Sequence, residues 1–170
     1  MDDPKRAEAL HLWEWGTHLL QTDRVDNAIA AFTRSIDLYP TAEAYTFRGW
    51  AYSMQGRVDD AVAECHKAIE VDPTYGNPYN DIGAYLIQQD KHDEAIPWLE
   101  RATTAERYEA RAFPWVNLGR AYIARGDRMK AIECFRKALE EQPSYHVARE
   151  MLERLVARSN GKVHIEKPST

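Results

Sequence analysis

Histidine and cysteine are the side chains with the most varied chemistry to offer, and this chain of 170 residues holds six and two of them. His11 and His18 stand seven apart, close enough to share a helix face, and His66 follows Cys65 directly. A zinc ion needs three protein ligands at a catalytic site and four at a structural one. No third or fourth ligand has suitable spacing here, so these side chains read as solvent-facing or edge residues and no metal is expected. Cys65 and Cys134 lack the C-x-x-C spacing of a redox or metal site and are too few for a disulfide framework. They are expected to be free thiols. The chain also contains no G-x-S-x-G nucleophile elbow, no G-x-x-x-x-G-K phosphate loop and no H-E-x-x-H motif. Neither an enzymatic activity nor a cofactor is expected.

Charge narrows the partners. Lys and Arg number 22 against 27 Asp and Glu, for a net charge of −5, and no run of five basic residues occurs. Binding to phosphates along a duplex, or to an anionic bilayer, draws on clustered positive charge, so nucleic acid and membrane are not expected partners. No stretch approaches the roughly 18 apolar residues of a membrane span, and the N-terminus leads into an amphipathic pattern broken by His11, Glu14 and His18. The expected compartment is the cytoplasm.

The elements that would position any site are announced by self-similarity. Gly16, Gly49, Gly83 and Gly119 are separated by 33, 34 and 36 residues, and each is followed 12 residues later by an alanine: Ala28, Ala61, Ala95 and Ala131. Large apolar residues flank them. Leu12, Trp15 and Leu19, like Trp115, Leu118 and Tyr122, recur at spacings of three and four and so line one face of a helix. Each period therefore reads as helix, short turn, helix. The turns carry Gln55-Gly56 and Arg125-Gly126-Asp127 in two units, and Thr22-Asp23 and Gln89-Asp90 in the others, where Asp can act as a helix cap. Glycine at the helix crossing allows close approach, at a cost of about 1 kcal/mol relative to alanine. Pro40, Pro73 and Pro143 close three of the units.

These residues resemble the tetratricopeptide repeat family, whose pattern is W-x2-L-G-x2-Y, then A-x3-F, then P within about 34 residues. The fourth unit fits throughout, with Trp115, Leu118, Gly119, Tyr122, Ala131, Phe135 and Pro143. The second departs at Arg48 and Cys65, the third at Arg107 in the proline slot. The implied fold is all-α: a right-handed α-solenoid of four helix-turn-helix units plus a C-terminal capping helix. Residues 1–157 would form one domain, with repeats at about 9–41, 42–75, 76–111 and 112–143, a capping helix at about 144–157, and a flexible tail from 158 to 170. Pro97 falls inside the second helix of the third unit and predicts a mild kink. Because of Phe113-Pro114, the first helix of the fourth unit is expected either to start early and bend or to start near Pro114.

The resemblance also implies a concave groove lined by the first helix of each unit. Carried over by position, the groove residues include Trp13 and Thr17, Trp50, Asn80, and Arg120, with Glu14, Phe47, Asp81 and Asn117 at its border. Trp15 and Trp115 occupy slots the repeat uses for its own core, whereas Trp13 and Trp50 do not. Those two either contact a ligand or are covered by the superhelix itself. Asn80 and Asn117 suit a grip on a peptide backbone, since an amide both donates and accepts, although Asn117 is also an ordinary residue at its slot. Arg120 offers an anion contact or a rim charge.

Co-chaperone members of the family grip a C-terminal carboxylate with Lys and Asn in the first groove helix, Asn in the second, and Lys and Arg in the third. Trp13, Thr17, Trp50, Asn80 and Ala84 stand at those positions and share none of these identities. The resulting expectation is a module that binds a peptide segment of a partner protein through Trp13, Thr17, Phe47, Trp50, Asn80, Asn117 and Arg120. The alternative is self-association, as a homo-oligomer or within a larger assembly, through the uncapped edge of the first repeat.

Overall fold

The computed structural model describes residues 3–160, which form nine α-helices. In chain order they are α1 (Pro4–Gln21), α2 (Val25–Leu38), α3 (Ala42–Met54), α4 (Val58–Val71), α5 (Asn77–Gln88), α6 (His92–Thr104), α7 (Ala112–Ala124), α8 (Arg128–Glu141) and α9 (His146–Asn160). The first eight pair as hairpins, α1 with α2 through α7 with α8, and each hairpin packs its second helix on the first helix of the next. Contacts of α1 with α3 and of α5 with α7 make the odd-numbered helices an inner row. The result is an α-solenoid. Helix α9 covers the apolar end of α8. It continues to Asn160, three residues beyond the expected cap; residues 161–170, the rest of the segment read as a tail, lie outside the described residues.

All four hairpin turns close in the same way. In the first, the Asp23 N–H donates to Leu20 and the Arg24 N–H donates to Leu19; the same two bonds recur at Gly56/Arg57, Asp90/Lys91 and Gly126/Asp127. This double bond back into the last turn requires a left-handed residue. Gly56 and Gly126 adopt it with φ 75° and 79°, and Asp23 and Asp90 adopt it with φ 58° and 60°. The aspartates therefore close the C-terminus of the preceding helix; Arg24 and Lys91 hold the N-cap positions of the following helices without a side-chain cap bond.

The repeat glycines lie against the residue sixteen positions on. A Cβ at Gly16, Gly83 or Gly119 would sit within 2.6 Å of Phe32, Leu99 or Phe135, all fully buried. In the second unit Cys65 occupies that slot, and the nearest atoms to Gly49 are the Ala61 carbonyl oxygen at 3.0 Å and Glu64 Cβ at 3.2 Å. Arg48 pairs with Glu64 at 2.7 Å with both side chains largely buried, and Lys67 reaches the other Glu64 oxygen at 2.8 Å. Arg48 also donates to Thr33 Oγ1 on α2, so an ion pair does the inter-repeat work that an apolar residue does elsewhere. Cys65 and Cys134 are buried free thiols, both raised by burial.

Trp15 corrects one expectation. Its slot is filled by Ile82 and Leu118 in later units, each about 1% exposed, because the second helix of the preceding unit covers it. Among the described residues no helix precedes α1, and Trp15 is 52% exposed, stacked on His18 at 5.5 Å.

The third-to-fourth repeat connection lacks its proline and is fastened instead. Arg107 makes an isolated parallel β-bridge with Tyr75: its N–H donates to the Thr74 carbonyl, and its own carbonyl accepts from Gly76, both at 3.0 Å. The guanidinium ion-pairs with Asp72 and with Glu43 and lies over the Tyr75 ring at 4.5 Å. Tyr108 packs so tightly on Gly76 that a Cβ there would lie 2.5 Å from it. Helix α7 starts at Ala112, two residues before Pro114, which puts Pro114 in the first turn where a missing N–H costs nothing. Helix α6 runs unbroken through Pro97.

Candidate functional site

A depression of about 620 Å³ runs along the inner row across α3, α5 and α7. Its first wall is aromatic. Phe47 and Trp50 are three apart on α3 and therefore share a face, and their ring centroids lie 5.9 Å apart. Phe47 is held from behind by Trp13, edge-on at 5.4 Å, and by Phe32 at 6.1 Å. Trp50 has no such backing and remains 48% exposed at the cavity.

The floor and far wall come from α5 and α7 and are mixed, with Ala84, Tyr85 and Ile87 beside the polar Asn77, Asp81, Gln88, Asn117 and Arg120. Asn117 Nδ2 donates to Asn80 Oδ1 at 3.0 Å, Asn80 Nδ2 donates to Asp81 Oδ1 at 3.3 Å, and Arg120 donates to Asn117 Oδ1 at 3.4 Å. This relay holds the side chains in place and also uses part of their capacity. Each amide keeps one N–H for another partner. Asp81 lines the cavity between them, and burial pushes its carboxyl up to about 7, only partly countered by the Asn80 N–H. Desolvation penalises the charged form, and one neutral donor does not repay it.

The structure thus brings together five of the seven groove residues expected from sequence: Phe47, Trp50, Asn117 and Arg120 line the cavity, and Asn80 ties into it through Asn117. Thr17 does not line this cavity; its hydroxyl donates to the Glu14 carbonyl within α1. Trp13 supports Phe47 from behind and borders a separate pocket of about 260 Å³ with Arg6, Ser35 and Glu43, its indole N–H buried without an acceptor among the described residues. Asp81 was placed only at the border by sequence, and Asn77 and Tyr85 were not singled out although both line the cavity. A signal existed for Asp81: an acid stands where the neighbouring units carry Phe47 and Asn117. No cluster of three or more His, Cys, Asp or Glu able to hold a metal occurs among the described residues, and no helix there is long and apolar enough to cross a membrane.

A solenoid of helical hairpins with a groove on its inner row is the architecture of protein-interaction repeats. Three family models, each describing a tetratricopeptide repeat, match residues 14–76, 77–108 and 112–145, and the chain belongs to that family. Among curated relatives it is 28% identical over 105 residues to small glutamine-rich tetratricopeptide repeat-containing protein 2 of Mycosarcoma maydis, covering 61% of this chain and 30% of that protein. It is 30% identical over 95 residues to Hsp70-Hsp90 organizing protein 1 of Glycine max, covering 55% of this chain and 16% of the other. The chain thus spans under a third of these relatives. Among solved structures, pilF of Pseudomonas aeruginosa superposes with a TM-score of 0.88 at 19% identity, over 94% of this chain and 72% of that one, which is a likeness of fold. The family is one of non-enzymatic protein-interaction modules.

Proposed function

We propose that this chain is an adaptor whose groove across α3, α5 and α7 takes up a peptide segment of a partner protein. The observation that supports this is Trp50: a large aromatic side chain, half exposed in the cavity beside a Phe47 already fixed by its neighbours. An aromatic anchor of this kind, once covered, commonly dominates an interface. Asn117 and Asn80, with one N–H each to spare, would hold the backbone of the segment, and Arg120 would meet its end nearest α7. The name of the Glycine max relative joins it to heat-shock proteins. The carboxylate-gripping identities are missing from the corresponding positions here, so an adaptor role for this chain would use a different ligand. A cytoplasmic setting fits the two buried thiols.

The test compares capture of partner proteins by wild type and by Trp50→Ala, with the fold of the variant checked by circular dichroism. A groove ligand should weaken by about 2 kcal/mol or more, roughly thirtyfold in affinity. Undiminished binding would move recognition away from this groove.

A second reading, assembly through the N-terminal edge, is favoured by Trp15. It stands half exposed beside a shallow depression bordered by Leu12, Leu19 and Ala31, on the surface that a preceding repeat covers in the other units.

A further inference from the structure

The groove reading leaves open what kind of segment would fit, and the charge inside the cavity bears on that. A carboxylate can accept about four hydrogen bonds. Asp81 receives one, from a neutral amide at 3.3 Å, and no cation among the described residues lies within ion-pairing distance of it. The nearest basic side chain of the cavity, Arg120, is engaged on Asn117 instead. By contrast, the buried Glu64 carboxylate on α4 has both oxygens paired, with Arg48 and with Lys67. The fold pairs both oxygens of the buried acid and leaves Asp81, half-buried and open on the groove, with a single neutral donor.

The same cavity supplies the rest of a cation site. Phe47 and Trp50 present aromatic surface along its α3 side, which suits the alkyl stem of a long basic side chain and attracts its charge through the ring faces.

Resting on the groove reading above, we propose that the bound segment is basic: a lysine or arginine of the partner inserts its cation beside Asp81 and lays its stem along Phe47 and Trp50. Arg120, at the α7 end, rejects a second cation there and so sets the direction in which the segment crosses the helices. The net charge of −5 favours the approach of such a segment.

The experiment uses the full chain, immobilised, and pools of short N-acetylated, C-amidated peptides, randomised except for a central lysine, norleucine or glutamate. Norleucine matches the lysine stem without its charge. Wild type should retain the lysine pool about tenfold more than the norleucine pool, the lower end expected for a charge-assisted hydrogen bond. The glutamate pool should be retained least. Asp81→Asn should erase the lysine preference while leaving norleucine retention in place, and Trp50→Ala should reduce every pool. Equal retention of lysine and norleucine by wild type, or a preference that survives Asp81→Asn, overturns the proposal while Trp50-dependent binding still supports the groove. Retention of no pool, or retention indifferent to Trp50→Ala, sinks the groove reading and the proposal with it.

Discussion

Gly119 meets the Phe135 ring so closely that an added methyl would sit 2.6 Å from its Cζ, inside a core where Phe135 has no exposure. Overpacking of this kind costs typically about 1–3 kcal/mol and outweighs the gain of about 1 kcal/mol that alanine brings to a helix interior. Gly119→Ala should therefore lower the urea midpoint clearly. Gly49→Ala should stay within about 1 kcal/mol of wild type, because Cys65 replaces the ring and the nearest atoms lie at 3.0 and 3.2 Å. Equal losses at both positions would contradict the slot-filling account. Asp81 gives a second prediction at this scale. Burial raises its carboxyl to about 7 in the folded chain, so between its unfolded value near 4 and about 7 the folded state holds a proton that the unfolded state has lost. Stability from this group is then complete below about pH 4 and drains away as pH rises through 7. Asp81→Asn removes the penalty. Its advantage over wild type should be near zero at pH 4 and reach about 2 kcal/mol by pH 8, allowing for water in the groove. An advantage that does not change with pH would show that Asp81 is not desolvated.

Helix by helix, stability is set at the turns. Asp23 and Asp90 sit where Gly56 and Gly126 sit, in left-handed backbone that aspartate tolerates at a cost and glycine adopts freely. Asp90→Gly should therefore raise stability by about 0.5–1 kcal/mol without moving the helices, readable as a higher thermal midpoint with an unchanged circular dichroism spectrum. A loss would mean that the Asp90 side chain contributes more than its backbone strain costs. The connection between α6 and α7 solves a different problem. With no proline to end its unit, it is held by backbone bonds to residues 74–76 and by the Arg107 pairs with Asp72 and Glu43. Asp72 is correspondingly lowered, chiefly by the Thr74 hydroxyl and with a contribution from Arg107. One guanidinium thus ties the third repeat to the ends of both helices of the second, at Glu43 and at Asp72.

Over the whole molecule, the two ends of the solenoid differ. Helix α9 lays Met151, Leu152 and Leu155 on the last hairpin, whereas the first hairpin leaves Trp15 and Leu10 each 52% exposed. Each repeat buries its face only against a neighbour, so an uncovered face is where another chain can stack. If the N-terminal edge mediates assembly, light scattering should show a mass that grows with concentration and Trp15→Lys should return it to the monomer. A wild-type chain that stays monomeric throughout would rule out homomeric stacking.

The sequence alone carried the helices, their pairing and the close helix crossing at the repeat glycines. A helix face repeats every three or four residues, and the contacts inside a hairpin join residues about sixteen apart, so local pattern is sufficient to specify them. It also placed Phe47, Trp50, Asn117 and Arg120 at the groove, because those positions follow from the repeat itself. The tertiary structure decided the rest. Asn80 bonds to Asn117 across 37 residues and Arg107 reaches Glu43 across 64, and those meetings depend on the rotation of one hairpin on the next. Trp15 is exposed, although its slot is buried in the third and fourth repeats, because no preceding helix covers it among the described residues. Asp81 passes from border residue to the acid on the groove floor for the same kind of reason: burial is a property of what stands opposite, and the residues opposite are set by packing between repeats.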